Sequence, residues 1–283
     1  MVNFLRLLVT WQRLKSFQHK NVNYIRSFQL SRFKKLVHHA YDRIPMYREL
    51  YDSHGFQPHQ IRYYEDIEKV PIITRDIMQN YSLNKRIDSR VSEKNIRKAR
   101  TSGSTGQPLE IWFEKTESLI GTLKPVRYLR EWGYSPFYST IRLWGGAEPK
   151  KSIAQKFGLF RRKDIEIVTQ PKEAVDEILK SKCDVLFGSR SSIEVFAEEL
   201  DKRKAEVKPR ILVSVSEMLM KEHRDRFKEK FGCHTLNTYG TEEMGNIAWE
   251  CPDQPNNLHT SVETILINYR DVVTTSNGRL GSI

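Results

Sequence analysis

The chain has 283 residues, 39% hydrophobic and 29% charged, with a formal net charge of +12. That length supplies one large domain or two small ones with a real core, and the composition is globular rather than disordered or fibrous. No apolar run approaches a bilayer span, and three widely spaced cysteines (Cys183, Cys233, Cys251) exclude a disulfide framework and point to a reducing, cytoplasmic setting.

The positive charge suits an anionic partner. The basic residues read as scattered among acids, and no zinc-finger spacing, RNA-recognition signature or basic arm is present. A solvated surface plus a small anionic ligand explains the charge as well, nucleic acid is not expected, and the charge alone does not decide function. Met1 to Ser16 carries Phe4, Leu5, Leu7, Leu8, Val9 and Trp11, interrupted by Arg6, Arg13 and Lys15. Arg6 breaks the apolar stretch and no small-residue cleavage site follows, which argues against a secretory signal. An amphipathic helix docked on the protein itself is expected ahead of one on a membrane surface.

Residues 1–95 read as a helical lead-in. Leu30, Phe33, Leu36 and Val37 fall at helical spacing within Phe28 to Tyr41, and Pro45 ends that helix. Glu65-Asp66-Ile67 is a further helical piece, Val70-Pro71-Ile72-Ile73 is extended, and Thr74 is placed to cap the next helix. Thr116 to Trp132 is helical on both sides of Pro125, which is expected to kink or divide it.

Residues 96–115 form a different unit. Ile96-Arg97-Lys98-Ala99-Arg100 and Leu109-Glu110-Ile111-Trp112-Phe113 read as short strands. Between them lie Thr101-Ser102-Gly103-Ser104-Thr105-Gly106, two glycines and four hydroxyls without a bulky side chain. Bare backbone N–H groups and hydroxyl donors together suit a phosphate group. Gln107-Pro108 follows instead of the Gly-Lys-Ser/Thr and helix that a mononucleotide P-loop requires. The segment is therefore expected at the tip of a β-hairpin over polyphosphate, with a plain Ser/Gly turn as the alternative.

From residue 139 to 250 strands and helices alternate. Strands are expected at Thr140–Trp144, Asp164–Val168, Asp184–Phe187, Ile211–Val215 and His234–Tyr239. Helices are expected at Lys172–Ser181 (Val175, Ile178 and Leu179 on one face), Ser191–Arg203 (Ile193, Phe196, Ala197, Leu200) and Leu219–Phe231. This alternation means βαβ units and a parallel sheet, an α/β class, with ligands beyond the carboxyl ends of the strands. At one such end stands Tyr239-Gly240-Thr241-Glu242. Tyr239 offers a flat face for a purine, Gly240 admits close backbone approach, Thr241 can donate to a phosphate, and Glu242 suits Mg²⁺. The alternatives are a core tyrosine and solvated acids of a helix first turn. Ser216-Glu217 ends the neighbouring strand.

These segments resemble the adenylate-forming superfamily, the acyl-CoA synthetases and their relatives, and most of all its phenylacetate–CoA ligase and capsule-biosynthesis branch. Arg100 through Pro108 is similar to the family's phosphate loop, and Tyr239-Gly240-Thr241-Glu242 to its adenine- and magnesium-binding motif. Ser216-Glu217 falls at an adenine-contacting segment, and Trp144-Gly145-Gly146 resembles the acyl-pocket strand end. The resemblance covers essentially the whole chain, including His38-His39-Ala40-Tyr41, Ile44-Pro45-Met46-Tyr47-Arg48 and Val70-Pro71-Ile72-Ile73-Thr74. Where many members carry lysine after the loop proline, Leu109 follows Pro108.

The resemblance implies a reaction in which a carboxylic acid and ATP give acyl-AMP and pyrophosphate, after which CoA takes the acyl group. Thr101, Ser102, Gly103, Ser104, Thr105 and Gly106 would hold phosphates, Thr241 the α-phosphate, Glu242 Mg²⁺ and Tyr239 adenine, with Thr241 and Glu242 as the catalytic pair. It further implies that residues 258–283 begin a β-rich subdomain. By that resemblance the small C-terminal domain, with its catalytic lysine and much of the CoA surface, is absent here, and the sequence is expected to be either a fragment or a truncated relative that binds nucleotide without turning over. Some phenylacetate-type ligases resemble this chain at Cys251 and His259, where they hold structural zinc. Two ligands do not close a tetrahedral site, so a buried thiol and a loop histidine are the other reading. A catalytically silent nucleotide-binding or scaffolding relative in envelope polysaccharide assembly is the rival function. A homodimer is left open.

Overall fold

The computed structural model describes residues 4–17, 19–88, 90, 91, 94, 96–100, 109–114, 118–144, 153–268, 270–275 and 278–282. Contacts divide the chain into two units, one of Met1–Ile120 with Ser261–Ile283 and one of Gly121–Thr260. No helix among the described residues is long and apolar enough to cross a membrane.

The first unit opens with α1 (Phe4–Phe17), α2 (Val22–Arg43) and α3 (Pro45–Ser53). Asn21 caps α2, its side chain accepting from the Tyr24 N–H at 2.8 Å. Ile44, extended, closes α2 and leads into α3, where Pro45 takes the first turn. Proline there lacks only a donor that would be unpaired anyway. Val37, Leu50, Tyr51, Phe56 and Ile61 form the core beneath these helices. A 3₁₀ segment, Tyr64–Lys69, includes the expected Glu65-Asp66-Ile67 piece. Thr74 caps α4 (Arg75–Gln79) by accepting from the Ile77 N–H at 3.3 Å, and α5 (Leu83–Arg86) follows.

Next come β1 (Ile96–Arg100) and β2 (Glu110–Glu114), antiparallel in register Ile96↔Glu114 through Arg100↔Glu110. The hairpin expected from sequence is thus present. Its tip, residues 101–108, lies outside the described residues. A second hairpin, β10 (Arg270–Thr275) with β11 (Gly278–Ser282), belongs to the same unit.

α6 (Ser118–Glu131) leads into the second unit and runs through Pro125 as one helix, so of the two expected outcomes division does not occur. Proline removes one intrahelical bond and crowds the residue four positions earlier. That residue is Gly121, which has no side chain to add to the crowding. The described strands are β3 (Thr140–Leu143), β4 (Arg162–Ile165), β5 (Val185–Ser189), β6 (Ile211–Val215), β7 (Thr235–Thr241), β8 (Gly245–Glu250) and β9 (Leu258–Thr260). Helices α7 (Ile153–Lys156), α8 (Pro171–Leu179), α9 (Arg190–Lys202) and α10 (Lys221–Phe231) intervene. The sheet order is β4-β3-β5-β6-β7-β8-β9, parallel from β4 to β7 and antiparallel through β8 and β9.

Alternation along the strands sends successive residues to opposite faces. Leu186 and Leu212 join Ile193, Phe196, Leu200, Phe227 and Phe231 in the larger core cluster. Val185, Ile211, Val213, Val215 and Leu236 join Tyr128, Leu129 and Trp249 in the second. Three expectations need correction. β4 lies two residues upstream of its expected start, because the buried Ile165 and Ile167 marked its apolar end while Arg162 and Lys163 supply its pairing. Leu179 is exposed, and α8 buries Ala174, Val175 and Ile178 instead. The antiparallel strand β8 went unread, whereas β9 falls where a β-rich segment was expected.

Cys183 and Cys233 pack against the larger cluster. Burial, then the neighbouring Asp184 and Cys233, pushes the Cys183 thiol up to about 12. Burial likewise raises Cys233 to about 11. Because the thiolate is the reactive form, iodoacetamide at mildly alkaline pH should label both more slowly in the native protein than in urea, by about a hundredfold or more, with Cys183 the slower of the two. Peptide mapping reads the two rates.

Candidate active site

The strand order sets where a ligand can enter. The chain leaves β3 toward β4 on one side, whereas β5, on the other flank of β3, leads away to β6 and β7. In an open parallel sheet such a reversal opens a crevice beyond the carboxyl ends of the two strands. Trp144 follows β3 directly, and Ser189 and Arg190 stand at the junction of β5 and α9.

The start of α9 is held from two strands. Ser189 accepts from the Ser192 N–H at 3.2 Å, the ordinary cap. Glu217, just past β6, accepts from the Ser191 N–H at 3.0 Å and the Ser191 hydroxyl at 2.7 Å. Its carboxylate also lies 3.2 Å from Arg190 Nη2, and Arg190 Nη1 donates to Glu194 at 2.7 Å. A carboxylate at a helix N-terminus is favoured by the exposed N–H groups and the helix dipole. Glu217 reaches this position because Ser216 adopts a left-handed backbone, φ 66°, that turns the chain sharply out of β6. For a residue with a Cβ that conformation costs about 1–2 kcal/mol.

One strand over, β7 and β8 are joined by a hairpin turn. Thr241 Oγ1 accepts from the Met244 N–H at 3.2 Å, and Gly245 takes the left-handed position, φ 65°. A bulge between Tyr239 and Gly240 shifts the register, so that Tyr239 pairs with Ala248 and Gly240 with Asn246. A Cβ on Gly240 would stand 2.5 Å from the Gly245 carbonyl oxygen. Glu242 and Glu243 therefore lie in a hairpin turn rather than a helix first turn, and both are exposed. Tyr239 is 45% exposed, so it is not a core aromatic.

The hairpin's base rests on Glu250, only 1% exposed. Its carboxylate accepts from Arg224 at 2.8 and 2.9 Å, from the Asn237 N–H at 3.0 Å and from the Asn256 N–H at 3.0 Å. At the other end of the crevice Arg142, one residue short of the end of β3, lies 5.1 Å from the Trp144 ring and 5.8 Å from that of Phe187. Asp164 is 3.8 Å away, and burial lowers the Arg142 pKa. Sequence reasoning passed over Arg142, although an arginine inside an apolar strand was a visible signal.

The expected zinc pair finds little support. Cys251 is buried and His259 is exposed, its ring 5.9 Å from that of Trp249. Among the described residues no three His, Cys, Asp or Glu side chains converge as a metal site. Gly145 and Gly146, with Thr101, Ser102, Gly103, Ser104, Thr105 and Gly106, lie outside the described residues.

No family model matches the chain. It is 24% identical over 254 residues to the phenylacetate–coenzyme A ligase of Thermus thermophilus, covering 83% of this chain and 54% of the relative. Against the Pseudomonas putida enzyme of the same name it is 25% identical over 259 residues, covering 84% and 56%. The chain thus spans about half the length of these two curated relatives. Its fold is that of 2-hydroxyisobutyryl-CoA ligase, solved in an open conformation with 2-HIB-AMP and CoA. The TM-score is 0.69 at 15% identity, covering 82% of this chain and 57% of that one. The same ligase in its thioesterification state gives 0.68 at 16% identity, covering 85% and 54%.

The chain is thus similar in sequence to phenylacetate–CoA ligases and in fold to the matched part of an acid–CoA ligase. Nothing in these comparisons bears on a capsule-biosynthesis role. This α/β scaffold presents Trp144, Arg190, Glu217 and the Tyr239–Glu242 turn at the carboxyl ends of one sheet.

Two substitutions probe this edge. Glu250→Ala leaves Arg224 and two backbone N–H groups without their shared acceptor, and should cost about 3–5 kcal/mol in urea unfolding. Gly240→Ala must displace the Gly245 carbonyl, and should cost about 1–3 kcal/mol in the same measurement.

Proposed function

We propose that the chain forms the nucleotide- and acid-binding body of an ATP-dependent acid–CoA ligase. A carboxylate oxygen attacks the α-phosphorus of ATP, the bond to pyrophosphate breaks, and acyl-AMP forms. The CoA thiol, losing its proton, then displaces AMP to give the thioester. The observation that carries this reading is the exposed Tyr239-Gly240-Thr241-Glu242 turn at the carboxyl end of a parallel sheet. The chain's relatives bear the name of that activity.

Each residue's part follows from its surroundings. Tyr239 offers an exposed ring for adenine to pack against. Glu217 already spends its carboxylate on Ser191 and Arg190, so the Ser216-Glu217 backbone, rather than that charge, faces the base. Gly240 leaves room for close approach, and Thr241 donates to the α-phosphate. A carboxylate beside a threonine hydroxyl is a donor set that a hard cation accepts, so Glu242 would hold Mg²⁺, which supplies charge neutralisation on the phosphates. Ser102, Ser104, Thr105 and the backbone of Thr101, Gly103 and Gly106 hold the β- and γ-phosphates. Charge-assisted bonds of this kind contribute about 1.5–3 kcal/mol each.

Trp144, Gly145 and Gly146 border the acid, and Arg142 supplies a half-buried positive charge near its carboxylate. Positioning and fixed charge of this sort lower the barrier to acyl transfer. Three cysteines without a disulfide suit a cytoplasmic enzyme.

The test is acid-dependent ATP–pyrophosphate exchange, with phenylacetate and a panel of aryl and short acyl acids, run on the chain together with a small C-terminal domain that supplies the lysine. Exchange with at least one acid is expected. Glu242→Gln should weaken Mg·ATP binding by about ten- to a hundredfold while circular dichroism stays unchanged. Tight ATP binding without exchange for any acid would identify a silent nucleotide-binding relative instead. Unaltered affinity in Glu242→Gln would remove the magnesium role from this residue.

A further inference from the structure

Positive charge is concentrated at one end of the chain. Residues 1–43 hold nine lysines and arginines against Asp42 alone, a net of +8 within the total of +12. The scatter of basic residues among acids expected from composition holds only beyond residue 43. α1 and α2 carry eight of these nine basic residues and pack together through Phe17, whose ring lies 4.7 Å from that of Phe28 and 5.9 Å from that of Tyr24. Leu14, Phe17, Val37 and Ala40 are buried.

Leu30, Phe33 and Tyr41 pack against the core as well, and the opposite side of α2 faces outward. Arg32, Lys35, His38, His39 and Arg43 are all exposed. At 3.6 residues per turn, Arg32, Lys35, Leu36, His39 and Arg43 fall within an arc of about 100°. Leu36, in that arc, is 61% exposed, and Val9, Val22 and Tyr24 are also exposed on the two helices. Two acids lie near this arc: Asp42 on α2 itself, and Asp88, 3.6 Å from His39.

We infer that the outer face of the α1–α2 pair docks on an anionic lipid surface. Basic side chains interleaved with exposed aliphatic ones match such a surface in both respects. Its headgroups attract the cations, and its acyl boundary takes up the apolar groups. Nucleic acid would satisfy the cations and leave Leu36 in water. A second copy of the chain would set like charges against like. The association is peripheral and reversible, since each Lys or Arg near the surface strengthens it only about fivefold.

Co-sedimentation of the full chain with vesicles tests this. At about 0.15 M salt, the chain should bind vesicles of phosphatidylcholine containing about 30% phosphatidylglycerol and not phosphatidylcholine alone. Arg32→Gln with Lys35→Gln should weaken that binding about thirtyfold. Leu36→Ser, which changes no charge, should weaken it further. Far-ultraviolet circular dichroism should be unaltered in both variants. Equal binding to the two vesicle types, or indifference to the double variant, overturns the inference. So does a DNA duplex that binds more tightly than vesicles and ignores Leu36→Ser. A concentration-dependent dimer abolished by the double variant would assign the face to a second copy instead.

Discussion

A buried carboxylate holds the second unit's site-bearing edge together. Glu250 is almost wholly removed from water, a state that costs several kcal/mol for an ion without partners. It is offset here by Arg224 from α10, the Asn237 amide from β7 and the Asn256 amide from the loop after β8. Its own carbonyl accepts from Trp132 Nε1 at 3.0 Å, and the adjacent Trp249 donates to Glu131 at 2.8 Å. Helix, parallel strand, antiparallel strand and the end of α6 are therefore pinned at a single point. The turn carrying Tyr239 and Glu242 projects from the strand pair so fixed, and it inherits its position from that anchor.

Much of this scaffold was legible before any coordinates. Runs such as Ile211–Val215 are fully buried, and a strand buried on both faces reads as a near-continuous apolar run, interrupted here by Ser214. The amphipathic spacing of Ile193, Phe196, Ala197 and Leu200 marked α9 in the same way, and all four are wholly buried. Edges were harder to read. β4 pairs on one side only and tolerates Arg162 and Lys163, so its sequence looks like a loop. β8 and β9 return antiparallel after a short turn, a connection that the βα alternation gave no reason to expect.

For the site, local chemistry was readable and distant partnership was not. A tyrosine, a glycine, a threonine and a glutamate in sequence announce their own chemistry. That Glu217 is bound by Ser191 and Arg190 depends on two strands ending side by side, which no local pattern encodes. Likewise a serine at φ 66° gives no sequence sign of its strain. Arg142 was visible as a charge in an apolar strand, but its meaning depends on Trp144, Phe187 and Asp164 around it.

The margins of the seven-stranded sheet carry a consequence for solution behaviour. Its outermost strands are β4, with four residues, and β9, with three. β4 presents Arg162, Lys163 and Asp164, and an ion pair links Arg162 to Asp164 at 3.1 Å. Short, charged margins deny an incoming strand both length and an uncharged backbone to zip against. Recruitment of foreign β-structure, the first step toward amyloid-like stacking, is thereby disfavoured at the sheet's own boundaries.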